Sequence, residues 1–510
     1  MLTSFSLTPQ IEHILASNAP PPDSEAPSLR LFDAAVQERI AHLEEDIASA
    51  AARLEQLRAD QKFLLLQQEK IRGALSPLRR LPPELLSEIF TRVMPLPCSR
   101  RAVVSTNDRD NPWALMHVSA HWRSVVSSTP SLWTRLETTF ARNRPYPLRL
   151  MQAHATHARE LEIDFAGSQS HDLAPQVEAF EALAQFSAKW VSLDIDLIPG
   201  LYSHFNDLRG RLPSLRATWV DWDQQPDEAS ELVFMEDAPA LVDVGAKNPL
   251  RYSRICLPSN LTRYNLATTW TIHQGILKEN PGLVAARIVI PSNQLESGRR
   301  NLGPGRGIHL PCLRQLYISF GIFLDELHTP NLVDITCEAD GAEAIGMIAH
   351  LESLVAFSSC SLQYICLAGD PIVSAVTNLL KKIPSMTAMR LMWTYAAADG
   401  PLLGLELDKI LAELACSPLL APNLTVLSLG WDDDVSVYLD DHPETYAALL
   451  HMWKTRRNAP NSRLRSVELL RTDGVWTPPD GTAFGDLEMV MLTDSRGQTF
   501  IDSYQHMGLP

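Results

Sequence analysis

Four stretches of the 510-residue sequence hold residue types that could do chemistry. His117 and His121 lie four apart in "HVSAH", a spacing that puts two imidazoles on one face of a helix. A catalytic zinc would also need a third ligand and a general-base Glu between the pair, and only Val, Ser and Ala stand there. His154 and His157 make a weaker pair. Asn301–Leu310, "NLGPGRGIHL", is glycine-rich beside Arg299 and Arg300. A phosphate cradle needs a strand before it, a helix after it and, in the P-loop, Lys-Ser/Thr; here "PCL" leads into a strand, so a loose connecting loop is expected. Trp431–Asp441, "WDDDVSVYLDD", clusters acids without the alternation, central Gly and closing Glu of a calcium loop, so a solvated loop is expected. No Gly-x-Ser-x-Gly, His-Glu-x-x-His or kinase-like set occurs. No catalysis, metal or cofactor is expected of the chain. The rival is an enzyme hidden in an α/β domain, with Ser, His and Asp meeting at strand ends.

The elements that would have to position such groups are of another kind. Hydrophobic residues make up 45% of the chain and charged residues 20%, a globular composition with material for a large core. With 44 Lys+Arg against 60 Asp+Glu the net charge is −16, which argues against bulk nucleic-acid binding. The 7 cysteines are scattered and never form Cys-x-x-Cys, which fits a reducing compartment. No secretory signal or membrane-length apolar run is present, so a soluble cytoplasmic or nuclear protein with no membrane partner is expected.

The chain divides by texture. Residues 1–33 are rich in Pro, Ser and Ala and read as a flexible leader. Residues 34–76 read as a long helix. Apolar residues recur from Ile40 through Leu43, Ile47, Ala50, Leu54, Leu57, Leu64 and Ile71 to Leu75 in alternating steps of three and four, with Gln61 and Gln68 as polar interruptions. That seam suits a coiled coil, with self-association through Val36–Leu75, or equally one amphipathic helix packed on its own protein. Pro77 ends it. After a helical unit at 77–135, residues 136–495 repeat a phrase: Pro, any residue, Leu, two residues, then two apolar residues one apart. Examples are "PCLRQLYI" at Pro311 and "PNLTVLSL" at Pro422, and copies lie about 19 to 38 residues apart. Residues 496–510 are left as a C-terminal tail.

In each phrase the first Leu should turn inward from a loop, and the alternating pair should put two side chains on one face of a short strand. Stretches of helical spacing, such as Asp408–Leu420, lie between copies. Strand then helix, repeated, is a leucine-rich-repeat arrangement. The fold expected is therefore α/β: a long N-terminal helix, a small helical unit, and an open solenoid with a parallel strand stack and outer helices. A conventional α/β domain with a parallel sheet is the alternative. The strand positions between the core residues give a target-facing row of Glu162, Asp194, Trp219, Arg287, Tyr317, Thr336, Arg390, Ser428 and Glu468. Its mixed chemistry fits a protein partner, not a lipid or a nucleic acid.

The helical unit pairs "LPPELLSEIFTRV" with "PWALMHVSAHWRSVVSSTPSLWTRL". A Leu-Pro opening (Leu81, Pro82), Glu84 with Leu85 and Leu86, Val118-Ser119 three residues before Trp122, and a closing Leu132-Trp133 follow in order. This resembles the F-box motif, and with the preceding helix it is similar to F-box proteins of mushroom-forming fungi, which often end in irregular leucine-rich repeats. The gap between Val93 and Trp113 is longer than in most F-boxes and is expected to loop out. The resemblance implies a Skp-type adaptor as partner and, through it, a cullin-based ubiquitin ligase. Leu81, Pro82, Leu85, Ile89, Phe90, Leu115, Val118, Trp122 and Trp133 are then its core or adaptor-facing residues, and the repeats would hold an unknown target protein. The alternative is a leucine-rich-repeat scaffold with no ubiquitin role.

Overall fold

The computed structural model of the protein describes residues 9–17, 20–94, 112–140, 147–222, 231–247, 254–291, 307–339, 343–369, 373–393, 401–417, 420–431, 443–460 and 462–470. The glycine-rich stretch 301–306, the acidic stretch 432–441, most of the 94–112 insertion and the 496–510 tail lie outside them. By contacts the chain forms two units, Met1–Leu86 and Ser87–Pro510.

The first unit is dominated by one helix. Helix α1 spans Pro9–Ser17 and α2 spans Ala26–Ala74. Helix α2 starts earlier than the texture of residues 1–33 suggested. Pro27 sits in its first turn, where a missing N–H costs nothing. The Ser28 hydroxyl donates to the Glu25 carbonyl at 2.7 Å, so the Pro-rich stretch forms a helix start. Helix α2 ends at Ala74 before the 3-10 turn Pro77–Arg80. No residue of α2 is buried.

The second unit is a parallel sheet laid down in chain order. Its strands are β1 (Arg135–Thr139), β2 (Leu161–Ala166), β3 (Trp190–Leu197), β4 (Ala217–Trp222), β5 (Asp243–Lys247), β6 (Arg263–Ala267) and β7 (Ala285–Val289). They continue as β8 (Gln315–Ile318), β9 (Asp334–Ala339), β10 (Tyr364–Gly369), β11 (Ala388–Trp393), β12 (Val426–Trp431) and β13 (Ser466–Leu470). Each strand pairs in parallel with the one before it and the one after it, from one edge of the sheet to the other. A doubly wound sheet would reverse its strand order partway. None of that reversal is present in this sheet, so the unit is a large, solenoid-like α/β stack.

The repeated phrase explains the stack. Its first apolar residue is buried at Leu215, Leu241, Leu283, Leu313, Leu332, Met386 and Leu424. The alternating pair fills two core rows, with Leu316 and Ile318 facing the same side as Ile335 and Cys337 on the next strand. Burying a Leu or Ile side chain contributes about 1.5–3 kcal/mol, so each copy is held mainly by its neighbours' apolar faces.

Polar groups knit successive copies together. Asn260, Asn331 and Asn423 each donate an amide N–H to the carbonyl of Pro239, Pro311 or Pro384 in the turn one copy earlier, at 2.8–2.9 Å. Helix ends are tied the same way. Lys189 donates to the carbonyls of Ala155 and Ala158 at the end of helix Leu148–His157. Arg211 donates to Ala184 at the end of Leu173–Ala184. Arg456 donates to Leu414, Ser417 and Leu420 at the end of Pro401–Cys416. A cation placed on the orphan carbonyls of a helix C-terminus also meets the negative end of its dipole.

Candidate functional site

Helix α3 spans Pro83–Val93 and straddles the boundary between the two units. Pro83 supplies its first turn, and Glu84 places an acid near its N-terminus. Its apolar residues divide between two faces. Leu86 and Phe90, four apart, are buried. Leu85, Ile89 and Val93, also at steps of four, are 52%, 39% and 70% exposed. Leu85, Ile89 and Phe90, expected together as core or adaptor-facing residues, therefore part company, because 3.6 residues per turn rotates the two sets apart.

The second part of the helical unit is two short helices. Helix α4 is Pro112–Met116 and α5 is Ala120–Ser127. Ser119 lies between them in extended conformation, and its hydroxyl accepts from the Trp122 N–H at 3.1 Å, an N-cap. The expectation of one continuous helix carrying both His117 and His121 is therefore corrected. The cap puts His117 before α5, and the two imidazoles do not share a helix face. Val125, Val126, Leu132 and Trp133 are buried, Leu115 and Trp122 are half-buried, and Val118 is exposed. The Trp122 ring packs on Phe90 with centroids 4.6 Å apart, and Ser87 and Thr129 hydroxyls meet at 3.1 Å. Of the unit's opening residues, Leu81 is half-buried and Pro82 exposed.

Trp133 joins this unit to the sheet. Its ring is wholly buried, and its Nε1–H donates to the Val126 carbonyl at 2.9 Å. It lies edge-on to Trp113 and stacks on His157 at 4.8 Å. The His154 Nε2–H donates to the Trp133 carbonyl at 2.9 Å, and burial lowers the His154 pKa to about 4. Trp133 is thus packed inside, while Ile89, Val93 and Val118 are each left exposed. Val93, one turn beyond Ile89, was legible from its step of four.

Of the row expected to face a target, all but Glu162 lie on one line of register across the sheet; Glu162 pairs with Ser192, two residues out of step with Asp194. Trp219, Arg287, Tyr317, Thr336, Arg390, Ser428 and Glu468 all occupy that line, with Gly245, Asn265 and Cys366 between them. Its side chains are not an open surface. Trp219, Tyr317, Thr336 and Ser428 are buried, and Arg287 and Arg390 are half-buried. The Glu468 side chain lies outside the described residues. The physical reason is cross-strand stacking. Gly245 leaves room for the Trp219 ring, which lies where a Cβ would be. Arg287 lies over the Tyr317 ring at 4.7 Å and donates to the Asn265 side chain at 3.2 Å. The Tyr317 hydroxyl donates to Glu338. Burial, then the Glu338 charge, raises the Tyr317 pKa well above its usual value. Half-exposed acids precede this segment in the same row at Glu137, Asp164 and Asp194.

Buried titratable groups elsewhere are internal ties. His273 donates through Nε2 to the Val289 carbonyl, which leaves Nδ1 to accept from the Tyr264 hydroxyl. Burial lowers the His273 pKa to about 4 and raises that of the Cys366 thiol to about 12. Among the described residues no group of three or more His, Cys, Asp or Glu is placed to hold a metal ion. Among them, too, no helix is long and apolar enough to cross a membrane. Compared with known proteins, the chain matches no family model and no curated protein.

Proposed function

We propose that the chain is the substrate-recognition subunit of a Skp-cullin-F-box type ubiquitin ligase. The helical unit at 77–135 docks a Skp-type adaptor, and the sheet, read as irregular leucine-rich repeats, holds a target protein. The observation that carries this reading is the division of helix α3. Leu86 and Phe90 are used inside, while Leu85, Ile89 and Val93 are left in water. An exposed apolar stripe on a helix is the kind of surface that meets a partner. The Leu-Pro opening and closing Leu-Trp support the F-box identity, and the strand-forming Pro-x-Leu phrase supports the repeats. In this reading the chain performs no catalysis itself and works in the cytoplasm or nucleus.

The test is titration of the full-length chain with a purified Skp-type adaptor by calorimetry. A stoichiometric complex is expected. Ile89→Asp should weaken it on the order of a hundredfold while leaving the thermal melt unchanged. No binding to the adaptor would overturn the proposal and leave an interaction scaffold without a ubiquitin role. That second reading is favoured by helix α2, none of whose residues is buried, which offers a binding surface that needs no ligase.

A further inference from the structure

Helix α2 runs for 49 residues with none of them buried, although Ile40, Leu43, Ile47, Leu54, Leu57, Leu64 and Ile71 follow a 3.5-residue seam. Helices of globular proteins draw most of their stability from packing an apolar face, so this seam calls for a second helix. We infer that the second helix is α2 of another copy of this chain, running antiparallel, with Leu54 of each copy opposite Leu57 of the other. The inference is independent of the ubiquitin-ligase reading.

The choice of partner and direction comes from the residues flanking the seam. In a parallel pair Arg39 would face Glu44 of the second copy favourably, but Arg53 would face Arg58, and each contact occurs twice. In the antiparallel register centred on Leu54 and Leu57, Arg53 faces Asp60 of the second copy, again twice. No like charges then meet. Asp46 lies against Gln67, Glu44 against Leu65, and Arg58 against Ala51. Sliding the antiparallel pair by one heptad in either direction sets Asp against Asp and Arg against Arg. Flanking charges of this kind select partner and orientation in coiled coils.

The core layers agree. The antiparallel register stacks Ile40 on Ile71 and Ile47 on Leu64, and it sets small Ala50 against long Gln61. A parallel pair would put Ala50 on Ala50 and leave a gap in the seam. A parallel pair would also let Gln61 meet Gln61 and Gln68 meet Gln68. In the antiparallel pair these side chains lay their stems along the seam and carry their amides to its edge.

Sedimentation of the full-length chain across a wide concentration range tests this. A dimer is expected. Arg53→Glu should raise its dissociation constant on the order of tenfold, because the new carboxylate faces Asp60 twice. Asp60→Arg should do the same, and the double substitution should restore the original affinity. Circular dichroism of each variant checks that α2 stays helical. A parallel dimer predicts the opposite sign for Arg53→Glu, since the new carboxylate would face Arg58. A chain that stays monomeric, a trimer or larger assembly, or tighter association of Arg53→Glu would each overturn the inference.

Discussion

Phe90 and Trp122 meet ring to ring, 4.6 Å between centroids and tilted by 55°. This contact closes α3 onto α5 and thereby decides which side of α3 is left outside. Truncating Phe90 should therefore act differently from truncating its neighbour. Phe90→Ala should cost about 3–5 kcal/mol of the helical unit's stability, whereas Ile89→Ala should cost under about 1 kcal/mol. Hydrogen exchange across α3 and α5 reads the difference locally.

Gly245 and Trp219 are a second coupled pair. A Cβ at Gly245 would lie 2.0 Å from the Trp219 ring, and that ring is buried. Gly245→Ala should destabilise the sheet by about 1–3 kcal/mol. In a Trp219→Leu background the same change should be nearly neutral. Urea midpoints of the four proteins complete the cycle. Equal effects in both backgrounds would show that the two residues do not compete for space.

Arg456 is nearly fully buried and serves three carbonyls beyond its own helix. Its burial lowers its pKa, so the guanidinium carries a desolvation cost that these bonds offset. Arg456→Met should leave three acceptors unmet and cost about 3 kcal/mol. Arg456→Lys should recover only part of that, since one ammonium cannot reproduce the planar fork. Protease sensitivity after residue 400 should rise in the same order.

Acid should weaken the sheet through His154 and His273. Both have folded pKa values of about 4 against an ordinary 6.5. Between those values the unfolded chain binds a proton that the folded chain refuses. Their contribution is full above pH 6.5 and is lost as the pH falls toward 4, by up to about 3 kcal/mol for each histidine. His273→Gln should be less stable at pH 7.5 but should lose less between pH 6.5 and 4. Thermal melts along a pH series would test this, and an unchanged slope in the variant would count against it.

The fold was legible where the sequence repeats itself. The Pro-x-Leu phrase located the strands, because an inward Leu followed by alternating apolar residues has few other ways to be buried. The row from Trp219 to Ser428 was placed correctly in register because strand side chains alternate with a period of two. Its burial was not legible, since it depends on which residue the next strand sets alongside, as Gly245 does for Trp219. The Ser119 cap was overlooked because the apolar spacing runs through it without a break. The asparagines of the turns pair with carbonyls a whole copy away, which no local pattern displays.

The strand order has a consequence for how the protein is made. Each strand hydrogen-bonds only to its neighbours in sequence, roughly 20 to 40 positions away, from Gln315–Asp334 at the near end to Val426–Ser466 at the far end. A sheet this wide ordinarily waits for distant segments to find one another. Here each new strand leaving the ribosome finds its edge already formed, and synthesis and folding can advance together in one direction.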